Sequence, residues 1–231
     1  MARTRRRLTQ TFGFPAVDRV LGATDKYRRT WDGMARTQAA DYEQRREAIV
    51  RQAAHLFATS GFAGTSVADL ARAGDTSKSL IYHYYPSKED ILYAVMTSHV
   101  DILQQDVEEV HEEGGAAPDR LRAIVHRFMS HYVGAADRQK VLLNEMDGLP
   151  PERRREIVGK QRKIVAAVGL ILSEVHPALA VDPARVSATT MLLFGMINWT
   201  HTWYDPSGTL SAAQVADMAL DMVLGKGVSA A

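Results

Sequence analysis

The sequence predicts an all-α fold in which a head of three helices precedes a larger domain of six helices. Apolar residues recur at the three- and four-residue spacing of amphipathic helices along most of the chain. No segment shows the alternation of apolar and polar residues that is typical of half-buried strands. Residues that cap or end helices, such as Gly61, Ser66 and Ser87, stand between the apolar stretches.

The first two helices of the head are separated by a turn at Gly61. An apolar stripe on residues 49–57 predicts the first helix, and Gly61 can adopt the left-handed conformation that ends it. Ser66 and Asp69 have the spacing of a capping box, in which each side chain accepts a bond from the other residue's backbone N–H. The second helix is therefore predicted to begin after Ser66 and to end at Gly74.

The third helix of the head is only about two turns long, which is too short to be stable on its own. Either Thr76 or Ser77 can cap it, Ile81 is its inward residue, and Pro86 ends it. Because neighbouring helices must hold it in place, its outer side chains are available for binding. A short helix braced in this way suits insertion into the major groove of DNA.

The outer side chains of this helix carry groups that can bind DNA. Lys78 can donate to O6 and N7 of guanine, and Leu80 can contact a thymine methyl group. Tyr82, Tyr84 and Lys88 would flank the groove and reach phosphates. Aromatic residues are also common in hydrophobic cores, so a structural role for the tyrosines remains an alternative.

The run from Thr76 to Glu89 resembles the DNA-binding signature of the TetR/AcrR family of transcriptional regulators, and the resemblance extends back to about Arg45. It implies an all-α homodimer that binds a palindromic operator in double-stranded DNA, with a small-molecule effector bound in its C-terminal domain. Position by position, it implies base contacts from Lys78, Ser79 and His83, and phosphate contacts from Thr65, Ser66, Tyr82, Tyr84 and Lys88.

Two residues depart from the family pattern. Asp75 stands where a glycine is common, and an acidic group near DNA lowers affinity because it repels the phosphates. Thr76 replaces the usual buried valine. The resemblance also implies that Ile81 and Tyr85 point into the head.

Composition narrows the class of protein. The chain has 231 residues, of which 46% are hydrophobic, enough to bury one core and a small additional domain. It has no cysteine, which excludes disulfides and thiolate metal sites and agrees with a reducing cytoplasm. No apolar run approaches the roughly 20 residues that a membrane-spanning helix needs, so no membrane partner is expected. We divide the chain into a basic extension at residues 1–40, a helix-turn-helix domain at 41–92, and an effector-binding and dimerisation domain at 93–231.

The N-terminal extension is strongly basic, although the whole chain has a formal net charge of only +1. Residues 1–40 contain nine Lys or Arg residues and three Asp residues. The arginines among residues 3–7 could follow the DNA backbone or enter a minor groove. Alternatively, the extension is disordered or misassigned, because the sequence Met34 to Thr37 repeats Met1 to Thr4 and offers an alternative start.

Six helices are predicted after the head. The first of them runs from Lys88 to about Glu113, and the next starts near Pro118. The others cover about Asp137 to Met146, Pro151 to Val175, Pro183 to Tyr204, and Ser211 to Leu224.

The last two of these helices are apolar on more than one face, which requires a second cover besides the protein's own core. A twofold partner that offers the same two helices would supply that cover. The predicted dimer interface consists of Phe194, Ile197, Val215, Met218 and Met222.

Polar residues interrupt apolar stripes in the C-terminal domain, with aromatic and Met side chains near them at helical spacing. Such a set can line an apolar cavity that has a few orienting polar groups, although each polar residue can also be a satisfied core or surface group. The segment from Leu193 to Pro206 is similar to the dimerisation region of a TetR-family subgroup, some members of which respond to CoA thioesters. The candidate effector-binding residues are Arg122, His126, Phe128, Met129, His131, Asn144, Phe194, Asn198 and His201.

Two other classes of function remain open. A ligand-independent DNA-binding or architectural protein needs no cavity, which would leave 139 residues after the head without a role. An all-α enzyme would need a catalytic or metal site. His99 with Asp101, and His111 with its neighbouring glutamates, lack metal-binding spacing and are expected on solvent-exposed faces. No catalytic residue, metal site or cofactor is therefore predicted.

Overall fold

The structure, a computed structural model, describes residues 40–225. This part of the chain forms ten α-helices and two short 3₁₀ helices, and it contains no strand. The sequence pattern does not predict the single-turn helix at Pro177–Ala180. The helices are α1 (40–60), α2 (Val67–Ala73), α3 (Lys78–Tyr84), α4 (Lys88–Glu113), α5 (Ala117–Gly134), α6 (Ala136–Asn144), α7 (Pro151–Val175), α8 (Pro177–Ala180), α9 (Pro183–Asn198) and α10 (Ala212–Val223), with 3₁₀ helices at Met146–Gly148 and Trp199–Thr202.

Contacts divide the chain into two compact units, Met1–Arg45 and Arg46–Ala231. Of the first unit, the structure describes only the beginning of α1. The predicted basic extension lies outside the described residues, apart from its last residue. The predicted boundary after residue 92 falls inside α4, which is continuous from Lys88 to Glu113. The three-part division of the chain stays a prediction.

The head folds as its capping residues predict. Gly61 has a φ of +76° at the end of α1. Ser66 and Asp69 form the capping box that begins α2. The Ser87 hydroxyl caps α4 by accepting a bond from the Asp90 N–H at 3.1 Å. The buried side chains of the head include Phe57, Phe62, Leu70, Ile81 and Tyr85.

The end of α9 differs from the prediction of one helix that extends to Tyr204. The α-helix ends at Asn198, and Trp199–Thr202 form a 3₁₀ helix. In this turn the Thr200 hydroxyl donates to the carbonyl of Ile197 at 2.6 Å. A 3₁₀ turn of this kind is common at the C-terminus of an α-helix.

The C-terminal helices surround an aliphatic and aromatic core. Helix α4 packs on α5, α6 and α7, while α10 packs on α5 and α9. No helix between residues 40 and 225 is long and apolar enough to cross a membrane. The fully buried large side chains include Met96, Leu121, Phe128, Ile157, Leu172 and Leu193.

Candidate DNA-binding surface and internal cavity

Helix α3 has one buried face and one exposed face. Ser77 caps it by accepting a bond from the Leu80 N–H at 3.1 Å, which decides between the two predicted caps. Ile81 is only 1% exposed and anchors the helix in the head, whereas Tyr82 is 50% exposed. The exposed residues occupy positions i, i+1, i+4 and i+5, so they share one helix face. They are Lys78, Ser79, Tyr82 and His83.

The turn between α2 and α3 accounts for one departure from the family pattern. Asp75 has a φ of +46°, in the left-handed region that favours glycine. Asp is one of the few other residues that enter this region at modest cost. The Thr76 N–H then donates to the carbonyl of Ala71 at 2.9 Å and closes the turn. The backbone therefore keeps the conformation of a glycine turn, while the turn carries an exposed carboxylate.

Thr65 and Lys88 differ from the prediction that both contact phosphates. The Thr65 side chain is buried, and its hydroxyl donates to the carbonyl of Gly61 at 2.8 Å. The Lys88 ammonium donates to the carbonyls of Phe62 and Thr65 at 2.8 Å and 2.9 Å. It also lies 4.2 Å from the centre of the Phe62 ring. These polar groups tie the α1–α2 turn to α4, so a phosphate contact from either residue would require its present bonds to break.

Three further predicted DNA contacts, two with phosphates and one with a thymine methyl group, come from residues that are exposed or half-buried. Ser66 is exposed, although its hydroxyl caps α2 and bonds the Asp69 carboxylate at 2.6 Å. Leu80 is half-buried at the rim of the α3 face. Tyr84 is also half-buried, with its ring edge-on to that of His83 at 5.2 Å. Their contacts with DNA stay predictions.

Helix α6 connects the head to the C-terminal core through consecutive residues. Asp137 bonds the His55 ring on α1 at 3.0 Å. Arg138 forms an ion pair with Glu47, also on α1. Gln139, the next residue, is buried and lines an internal cavity. One turn of helix therefore contacts both the head and the cavity.

The 3₁₀ helix that follows α6 lies close to the head as well. A Cβ atom placed on Gly148 would be 2.7 Å from Cδ1 of Phe62 and 2.9 Å from Cδ2 of Leu92. Only glycine fits here without a shift of those side chains. The segment from α6 to Gly148 is thus packed tightly against the residues that support α3.

The cavity lies among α4, α5, α6, α7 and α9 and has a volume of about 200 Å³. Its described lining contains neutral polar groups but no charged side chain. Burial raises the pKa of the Tyr132 hydroxyl above its ordinary value, so this group stays protonated at neutral pH. The lining residues are Val100, Leu103, Tyr132, Gln139, Leu142, Leu143, Gln161, Ile164, Val165, Met191, Phe194 and Asn198.

Two of the nine predicted effector-binding residues, Phe194 and Asn198, line this cavity. Phe128 and Met129 are fully buried in the core. Phe128 lies behind the lining, with its ring centre 6.1 Å from those of both Tyr132 and Phe194. It supports the cavity wall without forming it.

The other predicted effector-binding residues have partners elsewhere, which corrects the prediction for them. Arg122 and His126 both bond Asp217 on α10, at 2.5 Å and 2.7 Å, and so join α5 to α10. His131 pairs with Asp106 at 2.9 Å. Asn144 is exposed and donates to the carbonyl of Lys140, and the His201 ring bonds the carbonyl of Asn198. Each is a satisfied polar residue, the alternative that the sequence had left open.

The prediction missed Tyr132, Gln139 and Gln161 among the polar lining residues. A signal for Gln139 existed, because it interrupts the apolar stripe Ala135, Leu142 and Met146 at helical spacing. Tyr132 continues the apolar stripe of its helix, and nothing in the local sequence indicated that it lines a cavity.

A chain of hydrogen bonds leads from the cavity into α4. The Gln139 amide donates from Nε2 to Oδ1 of Asn198 at 3.1 Å. On its other side, Oε1 of Gln139 is 2.7 Å from Nε2 of His99. His99 is only 1% exposed, which contradicts the expectation of a solvent-exposed face. Burial lowers its pKa to about 4, against the opposing effect of the bond to Gln139, so the imidazole is neutral at pH 7.

An open groove of about 700 Å³ adjoins the cavity. It lies between α7 and the segment that contains α8 and α9, and Arg162 is on its wall. Three residues line both spaces: Gln161, Val165 and Met191. The groove therefore adjoins the cavity along α7 and α9.

The predicted dimer interface needs correction at three positions. Phe194, Ile197 and Val215 are buried in the protein's own core. Met218 is half-buried and Met222 is exposed, so these two remain available to a partner.

The outer face of α9 carries the exposed apolar residues instead. Ala188, Leu192, Gly195 and Trp199 follow each other at spacings of four, three and four residues and are all exposed. Leu192 is 68% exposed. A Cβ on Gly195 would meet nothing within 4 Å, so the middle of this face is open to a close neighbour. With Met222 on α10, these residues define the α9–α10 face.

Among residues 40–225, no group of three or more His, Cys, Asp or Glu side chains could hold a metal ion. His111 and its glutamate neighbours are exposed on α4, as expected for a solvated charge cluster.

Two family descriptions match separate parts of the chain. Residues 49–95 match the family described as bacterial regulatory proteins, tetR family. Residues 114–226 match the family described as tetracyclin repressor-like, C-terminal domain. The first match contains α2 and α3, and the second contains the helices of the cavity except α4.

Solved structures and characterised relatives agree with these matches. A TetR-family transcriptional regulator from Bordetella parapertussis is 37% identical, with a TM-score of 0.76, over 80% of this chain and 98% of that one. AibR, solved in complex with isovaleryl coenzyme A and operator DNA, is 27% identical with a TM-score of 0.68, over 77% and 97%. The transcriptional repressor KstR2 of Mycolicibacterium smegmatis is 27% identical over 195 residues, which cover 78% of this chain and 89% of KstR2.

Proposed function

This chain belongs to the TetR family of bacterial transcriptional regulators, and we propose that within the family it is a homodimeric repressor that a small organic effector releases from operator DNA. The observation that carries the proposal is the exposed face of α3, held by buried Ile81 and capped by Ser77. Because bacterial operators lie in the cytoplasm, a repressor of this kind acts there.

In the proposed complex, each protomer inserts α3 into the major groove of one half-site. Lys78, Ser79 and His83 face the bases, and Tyr82 reaches the backbone beside them. The two half-sites of the palindrome would lie about one helical turn apart, roughly 34–36 Å. The four candidate side chains already share one exposed face, so binding needs no rearrangement of the helix.

Replacing Lys78 with Ala tests this placement. We expect the change to cost about 1–3 kcal/mol on the cognate operator and to relax the preference at one base pair, because the ammonium donates to a base edge. Fluorescence anisotropy against a set of single-base operator variants would measure both effects. Lys163→Ala is the matched control, since it removes the same charge from an exposed position on α7. If Lys78→Ala and the parent protein had equal affinity and equal base preference, the proposal that α3 lies in the major groove would be wrong.

The arginines of the N-terminal extension provide a separate test of DNA binding. They lie outside the described residues, and we propose that two to four of them neutralise phosphates. A chain that starts at Met34 should then bind more weakly at low salt, with a slope of log affinity against log salt that is shallower by roughly 2–4. Base preference should change less than affinity, because phosphate contacts carry little sequence information. Identical slopes for the two chains would assign the extension no role on DNA.

We propose that the partner protomer covers the α9–α10 face. Two copies of this face would form a bundle of four helices around a twofold axis, with Gly195 at the point of closest approach. The exposure of Leu192 and Trp199 in the single protomer supports this arrangement, since large apolar side chains that cluster on one face favour a protein partner.

For the effector, the combination of a mainly apolar cavity and an adjoining open groove supports a CoA thioester. The acyl group would occupy the cavity, and the larger polar part would leave through the groove beside Arg162. The complex of AibR with isovaleryl coenzyme A gives this proposal a precedent among similar folds. Displacement of the protein from its operator by isovaleryl-CoA, but not by CoA alone, is the expected result.

Helix α6 supplies a physical route from the effector to the head. A ligand that bonds Asn198 or displaces Gln139 would shift α6, whose adjacent residues Asp137 and Arg138 hold α1. Such a shift changes the spacing of the two heads in the dimer. The effector can weaken operator binding only by the difference between its affinities for the two geometries.

A further inference from the structure

We propose that the cavity selects a ligand group that is uncharged and carries an acceptor oxygen, such as the carbonyl of a ketone, an ester or a thioester, and that Asn198 is the residue that recognises it. The proposal rests on the cavity being the effector site and narrows the chemistry of what that site accepts. It separates two groups of similar size, the neutral carbonyl and the free carboxylate.

The direction of the hydrogen-bond chain decides what Asn198 offers to a ligand. Its Oδ1 already accepts the bond from Nε2 of Gln139. Oε1 of Gln139 in turn accepts a bond from Nε2 of His99. This bond fixes the orientation of the Gln139 amide. With its Oδ1 engaged by Gln139, Asn198 can offer its NH₂, a hydrogen-bond donor, to the cavity. A donor at the wall of an apolar cavity pairs with an acceptor atom of the ligand.

The charge of the surroundings excludes an ionised ligand group. The twelve described residues that line the cavity include no Lys, Arg, Asp or Glu. Two charged side chains close to this hydrogen-bond chain are engaged elsewhere: Arg138 pairs with Glu47, and His131 pairs with Asp106. The buried His99 is neutral at pH 7 and supplies no counter-charge. A carboxylate or ammonium group would thus be buried without a partner, which is far more costly than burial of a hydrogen-bonded neutral group.

The size of the cavity limits the group that it can hold. Its volume of about 200 Å³ is somewhat larger than the cavity of about 150 Å³ that accommodates benzene in another protein. A short branched acyl chain fits such a space, whereas a long fatty acyl chain does not. This gives two isosteric probes, 4-methyl-2-pentanone and isovalerate, which share a skeleton. The ketone has a methyl group at the position where isovalerate has a charged oxygen.

The experiment is a titration of the 231-residue protein with each probe at pH 7.5, in which NMR monitors binding. We expect the ketone to bind at least ten-fold more tightly than isovalerate. Asn198→Leu removes the donor and should weaken the ketone at least ten-fold. Asn198→Asp keeps the acceptor for Gln139 but has no NH₂, and should weaken the ketone by a similar factor. Asn144→Leu, at an exposed asparagine on α6, is the matched control and should leave the affinity unchanged.

Comparison of the two probes in the unaltered protein needs no variant to fold, so the proposal is decided even if the Asn198 variants are unstable. Equal affinity, tighter binding of isovalerate, or no binding of the ketone would each overturn it. The CoA proposal is tested separately by operator release. If the protein prefers the ketone but isovaleryl-CoA does not release it from its operator, only the CoA proposal is contradicted.

Discussion

A protein with Leu192→Asp is expected to be monomeric and to lose operator binding. Leu192 lies in the middle of the α9–α10 face and is 68% exposed in the single protomer, so the fold itself should tolerate the substitution. In the dimer, the twofold axis would bring two such carboxylates into one apolar interface. We expect association to weaken by about 4 kcal/mol or more, which is on the order of 10³-fold. Operator binding should fall with it, because a monomer engages only one half-site.

The matched control for this prediction is Leu170→Asp on α7. Leu170 is 69% exposed, almost the same as Leu192, but it lies on a different helix. Analytical ultracentrifugation of the two variants, with operator binding measured in parallel, separates a specific interface effect from a general effect of added charge. A Leu192→Asp protein that remains dimeric at micromolar concentration would place the interface on another surface.

The head was predictable because its signals are local. Ser66 and Ser87 each cap a helix by accepting a bond from the backbone N–H three residues later, at Asp69 and Asp90. Their roles therefore follow from spacing alone. Ile81 is buried as expected from its position on a short helix, and Tyr85 is buried as the family resemblance implies. Family resemblance added the predicted DNA contacts, but it did not anticipate that Lys88 bonds backbone carbonyls of the preceding turn. Such a bond spans 26 residues and depends on how the turn folds back on α4.

The cavity was less predictable because its residues come together only through tertiary packing. Arg122 and Asp217 are 95 positions apart, and nothing in the local sequence shows that they pair. Helix α9 presents a different difficulty, since it is apolar on two faces. The pattern predicted both a cavity and a dimer interface for Phe194, but packing against α7 and α10 turns that residue inward. Leu192, two positions earlier, is turned outward. Periodicity identifies two apolar faces without deciding which one meets the core.

Burial of His99 has a consequence for stability that extends beyond the cavity. We expect the free energy of unfolding to fall by about 3 kcal/mol between pH 6.5 and pH 4 because of this residue alone. Its pKa is about 4 in the folded protein, while an unfolded chain has the ordinary value of 6.5. In that window the unfolded state binds a proton that the folded state rejects, so stability is fully present above pH 6.5 and is lost as the pH falls. Burial is the main cause, and the nearby Arg138 and His131 add to it by opposing a further positive charge.

Urea unfolding at pH 7, 5.5 and 4 would measure this effect against His99→Gln. Glutamine has a similar reach and can still donate to Oε1 of Gln139, but it does not titrate. Carboxylates and other histidines titrate in both proteins, so their contributions cancel in the difference between the two curves. Because unfolding of a dimer depends on concentration, both proteins must be compared at the same concentration. The difference should grow by about 3 kcal/mol from pH 7 to pH 4, in favour of the variant. Parallel curves would mean that His99 becomes protonated in the folded protein near its ordinary pKa, and the neutral imidazole that orients Gln139 and Asn198 would then be absent at mildly acidic pH.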